Sequence, residues 1–70
     1  MTLRQAEQGR EYIVRKLLTE DNEISSFLFS LGCYAGEPVT VISHKWGSSV
    51  VSIKDGRYCI DRQLADSIVV

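Results

Sequence analysis

Among 70 residues there is one proline, one histidine, one tryptophan and two cysteines, and these scarcities close off classes of function. Cys33 and Cys59 lie far apart and do not make the disulfide framework on which a small secreted fold relies, so both are read as reduced, small, buried thiols. Structural zinc needs closely spaced Cys or His pairs, and there are none. Cys33, His44 and Cys59 stand singly, so neither a metal site nor a cofactor is expected. A lone His44, read as an exposed residue at a strand end, and the lack of a Gly-x-Ser-x-Gly turn leave nucleophilic catalysis without its usual constellation. No Walker-type glycine-rich loop offers a seat for nucleotide phosphates. The expectation is a protein that is not an enzyme.

Charge of one sign is missing as well. The formal net charge is −1 with the signs mixed along the chain, which provides no field to gather phosphate backbones. Tyr12, Trp46 and Tyr58 are not set among clustered Lys and Arg, as the stacking platforms of a single-strand binder would be. No nucleic acid is expected as the main partner. Apolar runs fall well short of the roughly 18 to 20 residues needed to cross a bilayer, and MTLRQAEQGRE lacks the apolar core of a signal peptide. The chain is therefore expected in the cytoplasm, without direct membrane insertion.

What is present is ordinary for a chain that folds: 44% hydrophobic and 24% charged residues, with room for one domain, residues 1–70, that buries about 60% of its unfolded surface. Thr2-Leu3-Arg4-Gln5 has the form of a capping box, and Gly9 stops the turn it begins. Tyr12, Ile13, Val14, Leu17 and Leu18 read as a first strand. Thr19-Glu20-Asp21-Asn22 is rich in capping side chains, and Ile24, Phe27, Leu28 and Leu31 then recur at i, i+3, i+4 and i+7. That spacing predicts a helix over 22–31 whose stripe is core, with Gly32 as its left-handed stop.

From Gly36 the period changes. Val39-Thr40-Val41-Ile42 is β-branched throughout and predicts a second strand, after Pro38, a residue tolerated at a strand start or edge. Residues 45–49 read as a loop and Val50 to Lys54 as a third strand. Asp55-Gly56 gives the hairpin signal before a fourth strand at Arg57 to Ile60. Asp61 to Ala65 can make one helical turn, and Ile68-Val69-Val70 a fifth strand. Short strands joined by tight turns suit a closed barrel, which removes the edges of the sheet.

The run FLFSLGCYAGEPVTVI, with Leu28, Leu31, Gly32, Gly36, Val39 and Val41, resembles the helix-to-strand signature of the FeoA family. The ending RYCIDRQLADSIVV, with Tyr58, Ile60, Ala65, Ile68 and Val70, resembles that family's close, and Leu3 and Gly9 fit its opening. Phe27 stands where an arginine is common, and Cys33 where a leucine is. The resemblance covers the whole chain. It implies an all-β fold, a small SH3-like barrel of about five strands with one α-helix inserted after the first. It also implies a cytoplasmic accessory or regulatory role in bacterial ferrous iron uptake, through protein contact with the cytoplasmic portion of a FeoB-like ferrous iron transporter. Two other uses of such a barrel stay open: a metal-responsive regulatory module like the C-terminal domain of iron-dependent repressors, and a small nucleic-acid-binding barrel.

Two aromatic residues fall outside the predicted core. Phe29 projects opposite the helix stripe, among Ser25, Ser26 and Ser30, and Trp46 sits at a loop tip beside Lys45 and Gly47. Phe29, Lys45 and Trp46 are therefore the expected partner-binding residues, the rings as anchors and Lys45 as steering charge.

Overall fold

β-Branched runs separated by glycine turns give the second half of the chain its shape. In the computed structural model, which describes residues 1–70, strands β3 (Pro38–Lys45), β4 (Ser48–Ile53) and β5 (Gly56–Asp61) form an antiparallel meander. Strand β1 (Glu11–Ile13) adds to the outer edge of β3, giving the sheet order β1-β3-β4-β5. A second, two-stranded sheet pairs β2 (Lys16–Leu17) with β6 (Ile68–Val69). Helix α1 (Asn22–Leu31) connects β2 to β3, and a short helix α2 (Arg62–Asp66) connects β5 to β6.

The first strand expected from sequence is two strands. Val14 and Arg15 separate them because they bond in different directions: Val14 N–H donates to Glu37 O at 2.9 Å, and Arg15 N–H donates to Val69 O at 2.7 Å. The chain thus steps from one sheet to the other at a single peptide, with Val14 buried at the corner. Leu18, expected in the same strand, lies just beyond it and is exposed.

Alternation in β4 puts Ser49, Val51 and Ile53 inward, and from β3 come Val39 and Val41. A bulge between Val41 and Ser43 pushes Ile42 out of the ladder. Leu3, Ala6, Val14, Leu28, Cys33, Ile60, Ala65 and Ile68 complete the core, all buried. Leu3 comes from a 3-10 turn, Leu3–Gln5, in which the Gln5 side chain accepts from Thr2 N–H at 3.0 Å while the Thr2 hydroxyl donates to Asp66.

Turn chemistry departs from expectation in two places. The segment 45–49 is no loop: Gly47, at φ 76°, allows a two-residue turn, so the ladder continues through Lys45 opposite Ser48. The β4–β5 turn is Lys54-Asp55, with Lys54 at φ 51°, and Gly56 already pairs with Ile53. A side chain at Gly56 would land on the Tyr58 ring, so this glycine serves close packing rather than turn geometry.

Candidate partner-binding surfaces

Helix α1 begins where the Asp21 carboxylate accepts from Glu23 N–H at 2.8 Å and Ile24 N–H at 3.4 Å. It ends at Gly32, φ 91°, whose N–H bonds back to Leu28 and Phe29 carbonyls. These caps fix the rotation of the helix, and with it which residues face out. Leu28 is fully buried, Ile24 and Leu31 are half-buried, and Phe27, assigned to the core stripe from sequence, is 50% exposed. Phe27 lies at the edge of the stripe, about 60° from Ile24 at 100° per residue.

Phe29 is 63% exposed. Its ring stacks on Tyr34, with centroids 4.6 Å apart. Lys54 Nζ lies 5.6 Å from the Tyr34 ring and donates to Glu37 at 3.1 Å. The Glu37 hydrogen bond and charge hold the Lys54 ammonium above its ordinary pKa, with a smaller contribution from Tyr34. Phe29 is therefore part of a small aromatic and ionic cluster. Trp46, at the tip of the β3–β4 turn, is fully exposed. Beside it, Arg4, Lys45 and Arg62 surround a shallow hollow of 230 Å³. Phe29 and Trp46, the two rings expected as anchors, line separate hollows.

His44 is exposed overall, yet both ring nitrogens are engaged. Nε2 lies 2.7 Å from Ala6 O, and Nδ1 lies 2.9 Å from Ser49 Oγ. A carbonyl only accepts, so Nε2 is the donor there, and in the neutral ring Nδ1 accepts from the serine hydroxyl. This is formally a serine, an imidazole and an orienting acceptor, but Ser49 is buried. Its hydroxyl is held by the imidazole, and the pair clamps the N-terminal turn onto the β3–β4 ladder. Cys33 is buried, and burial pushes its thiol from 9.0 up to about 11. Cys59, expected to be buried, points out of β5 and is exposed. The inward positions on either side of it belong to Tyr58 and Ile60, and side chains alternate along a strand. No three His, Cys, Asp or Glu side chains are grouped to hold a metal ion.

A third surface was not legible in the sequence. An open groove of 660 Å³ runs between α1 and α2, with Leu18, Ile24, Phe27 and Leu64 among its walls. The signals that could have located it are the doublet Leu17-Leu18, whose members must face opposite ways in a strand, and the edge position of Phe27 in the stripe.

A β-meander closed by a second small sheet, with a helix inserted before the meander, defines a small SH3-like barrel. The chain belongs to the FeoA domain family, which it matches over residues 1–70. It is similar to a crystal structure of the iron uptake regulatory protein FeoA, with 26% identity, a TM-score of 0.81, and coverage of 96% of this chain and 88% of that one. Its fold is also that of the zinc complex of Stenotrophomonas maltophilia FeoA, a procaryotic SH3 domain protein, at 22% identity and TM-score 0.86, covering 99% and 87%. A manganese-dependent transcriptional repressor shares the fold at 17% identity and TM-score 0.86, covering 97% of this chain but only 39% of the repressor. No curated protein matches the sequence. The family is one of ferrous iron transport accessory proteins, and no helix here is long and apolar enough to cross a membrane.

Proposed function

We propose that residues 1–70 act as one FeoA-like unit in the cytoplasm, supporting ferrous iron uptake through protein contact with the cytoplasmic portion of a FeoB-like transporter. The observation that carries this reading is the FeoA domain match over the full 1–70 span. The surface chemistry agrees with a binding module: the side chains that stand out are apolar rings on the outside. Phe29, Lys45 and Trp46 remain the proposed contacts. Large exposed aromatic rings are costly to leave wet and are enriched at the centres of interfaces.

Co-purification of the chain with the FeoB-like transporter tests the reading, with Phe29→Ala and Trp46→Ala measured alongside. Trp46→Ala should weaken binding with an unchanged melting midpoint. Phe29→Ala should also weaken it, with a stability cost of about 0.5 to 1.5 kcal/mol from the lost stack on Tyr34. Unchanged affinity in both variants removes Phe29 and Trp46 as contacts, and failure of the wild-type chain to bind removes the partner.

A further inference from the structure

The groove between α1 and α2 has a chemistry of its own. Its apolar floor includes Leu18 and Phe27, 56% and 50% exposed, two large side chains that pack only in part against this chain. Its rim carries Asp21, Glu23, Asp61 and Asp66, and no Lys or Arg lines it. Asp66 has a distant partner in Arg4 at 3.7 Å, and Asp21 and Asp61 cap the two helices. No base lies within ion-pair distance of these two, and the Glu23 carboxylate makes neither a hydrogen bond nor an ion pair. In a chain of net charge −1, this concentrates negative charge around exposed apolar surface.

We propose that this groove docks an amphipathic helix of a partner protein, one with an apolar face flanked by Lys or Arg. The walls come mainly from the two helices and the turn after β2, and the sheet reaches them only at Asp61, the last residue of β5, so an incoming strand has almost no edge to pair with. Helix-in-groove docking needs an apolar floor for residues at i, i+3 or i+4, and i+7, and a rim of complementary charge. A metal ion fits poorly, since the carboxylates do not converge on one point. Helix α1 of a second copy fits poorly too, because residues 22–31 contain Glu23 and no base. The proposal adds a contact surface to the accessory reading and rests on that reading only for the identity of the partner.

The test compares the wild-type chain with Phe27→Ser, Leu18→Ser and Glu23→Lys for binding to the FeoB-like transporter. Glu23 is exposed and unpaired, so its variant carries little folding risk, and melting curves report on the other two. Each substitution should weaken binding about tenfold or more, a loss that only a minority of interface side chains cause when truncated. The Glu23→Lys difference should shrink at high salt. Full binding by all three folded variants overturns the groove and leaves the accessory reading standing. If the wild-type chain does not bind the transporter, that reading fails and the groove is decided separately. Backbone resonances are then followed during titration with a Leu/Lys amphipathic peptide of about four helical turns, and with its Leu/Glu counterpart. Saturable shifts at Leu18, Ile24, Phe27 and Leu64 with the Lys peptide alone support the proposal. Shifts elsewhere, equal shifts with both peptides, or no saturable shifts overturn it. So does a concentration-dependent dimer in sedimentation that Phe27→Ser abolishes, because that assigns the groove to a second copy.

Discussion

Leu28 and Cys33 lie five residues apart around the end of one helix, and both are fully buried, but their contributions differ in kind. Leu28 fills space at the centre of the core. Leu28→Ala should lower unfolding free energy by about 2 to 5 kcal/mol, read as a shifted denaturant midpoint, since a cavity there is walled by strands that cannot collapse into it. Cys33 contributes through its proton. Its folded pKa of about 11 lies above the ordinary 9.0, so the folded state holds the proton more tightly than the unfolded one. This contribution is fully present below pH 9 and is lost as pH rises through 11. Chemical denaturation between those values should show a fall in stability that is smaller in Cys33→Ala, whatever that variant's absolute stability, the remainder coming from groups such as Lys54 whose proton Glu37 also holds in the folded state. A thiol reagent should meet the exposed Cys59 in the native protein and Cys33 only on unfolding.

At the scale of elements, helix α1 depends on its ends. It has ten residues, shorter than an isolated helix that would hold in water, so packing and capping must supply its stability. Asp21→Ala removes the acceptor for two backbone N–H groups and a negative charge at the positive end of the helix. The expected cost is about 1 kcal/mol, with exchange protection lost first in the opening turn. The strands depend on their turns in the same way. Gly47 lets β3 and β4 run to the very tip and so lifts Trp46 clear of the surface. The β3 bulge leaves Ile42 unpaired and shifts the register of the residues after it by one, which brings His44 rather than Ser43 opposite Ser49.

For the whole molecule, closure is the decisive step. The first and last residues meet: Val70 N–H donates to Met1 O at 2.9 Å, Thr2 bridges Val69, and β6 covers β2. Ile68 is fully buried within this seam. Deleting residues 68–70 should therefore unfold the protein rather than trim it, because the cut removes a core side chain and the pairing of β2 together. Loss of chemical-shift dispersion throughout, not only near the ends, is the expected outcome. The same closure carries α2 against the N-terminal turn and sets it across from α1, and this juxtaposition forms the groove.

Local periodicity settled much of this in advance. The helix at 22–31, its Asp21 and Gly32 boundaries and the strand at Val39 were readable because capping, a 3.6-residue period and β-branched runs are local effects. Phe29 and Trp46 were readable as outward for the same reason. Division of the first strand, the burial of Ser49 beside His44, the exposure of Phe27, Leu18 and Cys59, and the acidic groove were not. Each depends on which distant backbone satisfies a particular N–H or which element packs on a face, as with Val14 bonded to Glu37 and Arg15 to Val69. Sequence by itself determined the helix and the strands of the second half, since those follow from residue type and spacing along the chain, and its resemblance pointed to the family. Only the tertiary structure decided where apolar side chains remain uncovered, because coverage is a property of neighbours brought together by closing the barrel.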